Sequence, residues 1–322
     1  MNGQKGAIHL FLAVVIGFFI VGMIVYLLLN SKSEVGTSQE TAQTEDSNVF
    51  RDSSTPAQEQ SKTTTGDGII FGPFHLPDTM FGNQFTGAFI SLRPLNAKEV
   101  LDGARKANIS LMVNLAGGRN SFQNEDDSFS VDKFKSRIDQ YKEIDFDSYV
   151  NDGTLIGHLM FDEPQDPNNW NGLAVSFSDI DEAAKYSKDL WPNLPVGVGG
   201  PPTFLKNYSW SYLDFGFAQY VSKRGNVVSW KNSEVNAAKS AGLGLVLSIN
   251  VLGGNNGAEV TSDQLKDWGE ILASDPYACA LLMWKFDENY FSDSDVMSSV
   301  DDIVEVSNSQ TSTSCKPKNI RN

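Results

Sequence analysis

The sequence predicts an α/β fold of the (β/α)8-barrel class, and three observations predict it. Short apolar runs alternate with amphipathic stretches from Gly68 to Ser307. The apolar runs are nearly continuous, as strands covered on both faces require. The alternation repeats over roughly 240 residues, which suits parallel strands joined by crossover helices and closed into a barrel better than an open sheet.

The elements follow in order. TGAFISL (86–92) precedes NAKEVLDGARKAN (96–108), and ISLMVNLAGG (109–118) precedes VDKFKSRIDQYKEI (131–144). LIGHLMF (155–161) is followed by FSDIDEAAKYSKDLW (177–191), and LPVGVGG (194–200) by the short PTFLKNYSW. LDFGFAQYV (213–221) leads to SWKNSEVNAAKSAG (229–242), and LGLVLSINVLGG (243–254) to TSDQLKDWGEILAS (261–274). Thr261 with Gln264 three residues on is a capping-box start. ACALLMWKFD (278–287) leads to SDVMSSVDDIVEV (294–306), where Val296, Val300, Ile303 and Val304 fall on one side of a helix. These are seven clear strands; an eighth is expected in Gly68–Phe74 or within 119–154.

Outside the barrel the composition changes. Residues 7–29, AIHLFLAVVIGFFIVGMIVYLLL, carry no charge. At about 1.5 Å per residue such a helix crosses a hydrocarbon core of roughly 30 Å. It exceeds the apolar core of a secretory signal, and no A-x-A cleavage pattern follows. Residues 1–30 therefore read as a single-pass anchor in the lipid bilayer of the cell membrane. Lys5 before the run and Lys32 after it favour a cytoplasmic amino terminus and an extracytoplasmic C-terminal domain. Residues 31–67 are polar and acidic, too poor in apolar groups to offset their ordering entropy, and are expected to be a disordered linker. Residues 308–322 read as a second loose end.

The net charge is −15, from 40 acids against 25 bases. Such a surface repels phosphate backbones, which argues against nucleic acid as a partner. Of the two cysteines, Cys279 lies in an apolar run and reads as a small core residue, and Cys315 lies in the polar tail. No disulfide is expected from that placement.

A parallel barrel gathers its chemistry at the C-terminal ends of its strands. The sequence puts polar residues there repeatedly: Arg93, then Asn114 and Arg119, then Asp162 and Glu163, then Gln219 and Tyr220, then Asn250, and last Lys285 and Asp287. No metal or cofactor is expected. No His/Cys/Asp spacing resembles a metal site, no G-x-S-x-G occurs, and His158 inside an apolar run reads as a hydrogen-bonded structural histidine.

Two short motifs carry a resemblance. Asp162-Glu163-Pro164 is similar to the Asn-Glu-Pro that closes a central strand in many retaining (β/α)8-barrel glycoside hydrolases. Trp284 in LLMWKFD is similar to a last-strand tryptophan that floors their sugar site. The resemblance implies Glu163 as general acid/base and Trp284 as a sugar platform. It fails at the penultimate strand, SINVLGG, which ends in Asn250 where that family places a nucleophilic glutamate. Neighbours on a strand point to opposite faces. Asp162 and Glu163 are therefore expected to diverge, leaving Asp287 as the second carboxyl, the base of an inverting hydrolysis.

The expected function is a glycoside hydrolase acting on a cell-surface or environmental glycan. Arg93, Asn114, Arg119, Gln219, Tyr220, Asn250, Trp284 and Lys285 are its expected substrate contacts, with Trp170, Tyr290 and Phe291 supplying rings nearby. Two alternatives stand beside it: a glycan-binding barrel without catalysis, and an enzyme holding phosphate at Gly253-Gly254. Plainer readings remain for single features: a loop start for Asp-Glu-Pro, an ion pair for Lys285 and Asp287, and tight turns for the paired glycines.

Overall fold

The computed structural model describes residues 68–311 and 314–316. The chain divides into two units, Met1–Gln60 and Ser61–Asn322, and the described residues all belong to the second. The expected anchor at 7–29, the linker at 31–67 and most of the tail lie outside the described residues. Among the described residues no helix is long and apolar enough to cross a membrane.

Eight strands form one parallel sheet: β1 (Ile70–Pro73), β2 (Gly87–Ser91), β3 (Ser110–Asn114), β4 (Leu155–Asp162), β5 (Val196–Gly199), β6 (Phe215–Tyr220), β7 (Gly244–Asn250) and β8 (Ala278–Trp284). The missing strand is β1, the first of the two places expected for it. The strands pair in the order β1-β8-β7-β6-β5-β4-β3-β2. A parallel bridge between Phe74 and Phe89, with the Thr86 N–H donating to the Phe71 carbonyl at 3.1 Å, brings β1 against β2 and completes the ring.

The crossover helices are α1 (Ala97–Ala107), α2 (Val131–Ile138), α3 (Asp147–Asn151), α4 (Phe177–Leu190), α5 (Pro202–Leu205), α6 (Val227–Ala241), α7 (Ser262–Ala273), α8 (Glu288–Phe291) and α9 (Ser294–Ser309). Their ends follow local chemistry. Thr261 and Gln264 form the expected capping box. Asn108 and Gly242 close α1 and α6 in the left-handed conformation, where Gly and Asn are tolerated best. Val296, Val300 and Ile303 face inward from α9, and Ile303 packs so closely on α7 that a Cβ on Gly269 would lie 2.2 Å from it.

Strand alternation sorts the apolar residues into two layers. Leu111, Val113, Leu245, Leu247, Leu281 and Met283 face the helices. Phe74, Phe89, Met112, Leu159, Phe217, Val246 and Leu282 fill the barrel interior. Each large side chain fully buried in this way contributes about 1.5–3 kcal/mol relative to exposure. The barrel is thus a packed core.

One expectation fails at the floor. Cys279 and Cys315 are joined in a disulfide, with their Cα atoms 5.3 Å apart. Cys279 sits near the start of β8, in the interior layer. Cys315 is buried in that same layer, beside the start of β7, where a Cβ on Gly244 would lie 2.6 Å from its carbonyl oxygen. The polar sequence around Cys315 hid a buried side chain.

Candidate active site

The site is built around the end of β4. Up to Leu159 the strand alternates in step with β5, with Leu159 opposite Gly197. The register then shifts, and Asp162 comes opposite Gly199. Met160 and Phe161 both join the helix-facing layer. This is a β-bulge, which places one extra residue on the strand and re-aims the next side chain. Asn114 braces it: its Nδ2 donates to the Leu159 carbonyl at 3.1 Å and the Met160 carbonyl at 3.0 Å.

Glycine at 199 makes room for the re-aimed acid. A Cβ there would lie 2.3 Å from Asp162 Oδ1 and 2.7 Å from its Cα. Glu163 then turns back with φ 53°, in the left-handed region. Its N–H donates to the Gly199 carbonyl and to Asp162 Oδ1, each at 2.9 Å. Trp170 Nε1–H donates to the Glu163 carbonyl at 2.8 Å and holds the turn from outside.

The outcome corrects the expectation from alternation. Asp162 and Glu163 do not diverge. Both line one cleft, with Gln165, Gly199, Pro201, Phe217, Gln219, Arg224, Trp230 and Glu234, around about 430 Å³ of space open to solvent. Strict alternation fails because β4 bulges before Asp162, and because Glu163 has already left the extended conformation.

The two carboxyls have contrasting surroundings. Asp162 is exposed to the cleft by its own surface, yet protein atoms crowd densely around its carboxyl. Burial, and secondly the charge of Glu163, push its carboxyl up to about 7. Glu163 is gripped at one oxygen. Asn169 Nδ2 donates to its Oε2 at 2.8 Å, and Arg119 lies 3.4 Å from the same atom. Arg119 also donates to Asn169 Oδ1 at 2.7 Å and lies over the Trp170 ring, 5.3 Å from its centroid.

A third acid enters from α6. Glu234 is buried, with burial raising its carboxyl above the ordinary range. It accepts from the Thr203 N–H at 3.1 Å and from the Thr203 hydroxyl at 3.0 Å, tying α6 to α5. Glu234 was not among the expected site residues. Its signal was present in the sequence, an acid four residues after Trp230 on the apolar face of a helix.

The other expected residues scatter. Gln219 lines the cleft. Tyr220 faces the helices, wedged between Trp230 and Trp268, and its hydroxyl donates to the Gly225 carbonyl at 2.6 Å. Arg93 and Lys285 are exposed at the rim. Trp284 packs edge-on against Phe74 and His75 at the end of the neighbouring β1, and its peptide bond to Lys285 is cis. Asp287 caps α8, its Oδ1 accepting from the N–H groups of Asn289 at 3.0 Å and Tyr290 at 3.1 Å. Asn250 folds its own loop, with Oδ1 accepting from the Gly253 N–H at 2.9 Å. Asn114 does the same for Gly117 at 2.6 Å, so both Asn-x-x-Gly-Gly ends use one device. His158 is buried on the helix-facing side, beside Val196. Among the described residues neither ring nitrogen has a hydrogen-bond partner, contrary to expectation, and burial lowers its pKa to about 3.

No family model matches the chain, and no curated protein matches it. Solved structures do match. A GH5-4 broad specificity endoglucanase from Clostridium longisporum is 13% identical, with a TM-score of 0.51 over 72% of this chain and 86% of that one. A GH5_18 protein from Bifidobacterium longum subsp. infantis is 10% identical, with a TM-score of 0.52 over 77% and 80%. ScGas2 is 10% identical, with a TM-score of 0.53 over 80% and 71%. At these identities the likeness concerns the fold. The chain carries a (β/α)8 barrel, the fold that these solved structures share with it.

Proposed function

We propose that this chain is a hydrolase of glycosidic bonds, with Asp162 as proton donor and Glu163 as its carboxylate partner. One observation carries the reading: a single cleft holds two adjacent carboxyls whose surroundings differ. Burial keeps a proton on Asp162 up to about pH 7, as a general acid needs. Arg119 and Asn169 fix Glu163 through Oε2, which leaves Oε1 as the oxygen to meet water. Asp162 would protonate the glycosidic oxygen as the C–O bond breaks, and Glu163 would take a proton from the attacking water. The structural neighbours described as an endoglucanase and a GH5_18 protein support a carbohydrate substrate. Relative to the sequence expectation the roles move: Glu163 passes from acid to base, and Asp287 is occupied by its cap.

The test is Glu163→Gln beside Asp162→Asn. Each variant should lose turnover of oligosaccharides while retaining their binding. Retained turnover in both would sink the assignment.

A glycan-binding barrel without catalysis is the second reading. It is favoured by Asn250 at the penultimate strand end, where its side chain is spent on Gly253. Under that reading the wild type binds glycan and turns over none. The loop geometry weighs against the phosphate reading of Gly253-Gly254. The Gly253 N–H is already taken, and Gly254 packs so tightly on the Asn250 backbone that a Cβ would lie 2.1 Å from its carbonyl oxygen. Both observations support the reading of these glycines as turn residues.

The same proposal sets the barrel outside the cell membrane on a tether. The uncharged run at 7–29 supports a single-pass anchor, and the Cys279–Cys315 disulfide supports an oxidising compartment.

A further inference from the structure

The end of β6 and the turn after it bring two polar side chains to the cleft, Gln219 and Arg224. The register between β6 and β7 runs unbroken from Phe215 to Tyr220, so alternation holds here as it does not on β4. Phe217 faces the barrel interior while Ala218 and Tyr220 face the helices, which turns Gln219 into the mouth, where it is partly exposed. Arg224 is exposed. Among the described residues neither the Gln219 amide nor the Arg224 guanidinium takes part in a hydrogen bond, ion pair or ring contact. The backbone beneath Arg224 is nonetheless fixed. The Arg224 N–H donates to the Val221 carbonyl at 2.9 Å, the Ser222 N–H to the Gly254 carbonyl at 2.6 Å, and the Tyr220 hydroxyl to the Gly225 carbonyl at 2.6 Å. A ligand that takes the guanidinium orders a side chain alone, with no loop to settle.

The other ionisable groups of the cleft are already provided for. Glu163 has Arg119 beside it at 3.4 Å, and Asp162 keeps its proton up to about pH 7. Glu234 is near enough to feel the charge of Arg224, yet both its oxygens accept from Thr203. A ligand that strips water from an unpaired guanidinium must replace the lost hydrogen bonds. A carboxylate does so with two oxygens matched to the guanidinium fork, and with the opposite charge. We propose that the cleft takes an acidic glycan, with Arg224 pairing with the carboxylate of a uronic acid and the Gln219 amide bonding a hydroxyl of the same sugar. The net charge of −15 does not oppose this, because surface charges more than about 10 Å away are largely screened by physiological salt. The inference rests on the proposed carbohydrate function and adds to it the class of sugar accepted.

The test uses the full chain carrying Asp162→Asn, so that turnover does not consume the ligand. Calorimetry compares oligosaccharides in pairs that differ in the carboxylate: galacturonate oligomers against their methyl esters, xylo-oligosaccharides with and without a glucuronate branch, and gluco-oligosaccharides with and without oxidation to glucuronate. The parent should bind the acidic member of one pair about tenfold or more tighter than the neutral member, the scale of a hydrogen-bonded charge pair, and added salt should narrow the gap. Arg224→Gln should weaken the acidic member to near its neutral counterpart. Arg224→Lys, which keeps the charge and loses the fork, should fall between. Because Arg224 is exposed, both variants should keep the Tm of the parent. Equal binding of acidic and neutral members by the parent, or a preference that survives Arg224→Gln, overturns the acidic subsite and leaves the carbohydrate reading intact. A parent that binds no member of the panel overturns both.

Discussion

The ends of β4 and β8 both carry an aspartate beside the mouth, and the two meet different fates. Asp287 lies just where α8 begins, and the free N–H groups of that first turn capture its carboxylate. Asp162 has no helix start beneath it. A bulge swings it into the cleft, where burial raises its proton affinity and, among the described residues, one backbone donor reaches it, the Glu163 N–H. Residue type is shared, although Asp162 is the last residue of β4 and Asp287 lies beyond the end of β8 at Trp284. What differs is the supply of backbone donors, and that supply separates a structural carboxylate from one free to exchange a proton.

The sharpest test of this contrast is turnover. Asp162→Asn should lower kcat about 10²–10⁴-fold, the usual weight of a general acid, while Asp287→Asn should leave kcat within a few-fold. The wild-type rate should fall as pH rises through about 7, where Asp162 loses its proton. Stability follows the same group. A carboxyl raised in the folded state contributes stability that is present below its unfolded value, near 3.8, and lost as pH rises through about 7. Asp162→Asn should therefore gain Tm relative to wild type at pH 8 compared with pH 3.5, as differential scanning fluorimetry would read. An unchanged difference would break the contrast at its root.

A smaller effect is expected at Gly199. An added methyl meets both the carboxylate and the Cα of Asp162, so Gly199→Ala should destabilise by about 1–3 kcal/mol and reduce turnover as the bulge shifts. Urea denaturation and steady-state rates check both parts. The smallest belongs to β8: Asp287→Ala should cost about 1 kcal/mol through the lost cap, with little change in kcat. A large loss of activity there would restore Asp287 to the chemistry.

Much of the barrel was legible because periodicity is a property of long segments. Seven strand runs announced themselves by unbroken apolar stretches, and the capping box at Thr261 appeared as read. Ile70–Pro73, four residues long like Val196–Gly199, has no amphipathic stretch before it to mark its start and left two places for the strand. The site was legible only as a neighbourhood. Asp162, Glu163 and Gln219 were found because they end strands. Their joint orientation was not, because a bulge depends on Asn114 and Gly199, partners distant in the chain. Tyr220 illustrates the converse: one residue beyond Gln219 it faces the helices. Glu234, Trp230 and Gln165 reach the cleft from a helix and a loop, where strand ends give no guide. The disulfide was invisible because the polar context of Cys315 says nothing about where the chain returns.

That returning chain has a mechanical consequence. The bond between Cys279 and Cys315 closes a covalent ring with a sequence separation of 36, enclosing the rest of β8 together with α8 and α9. Such a ring limits the unfolded ensemble by about 4 kcal/mol on loop-closure grounds. An exopeptidase or a pulling force acting from the carboxyl end therefore meets a fastened hoop at the base of the barrel, and α9 cannot peel away alone. The knot lies at the opposite end of the strands from the acids, so cutting it with a reductant would slacken the foundation before it disturbed the mouth.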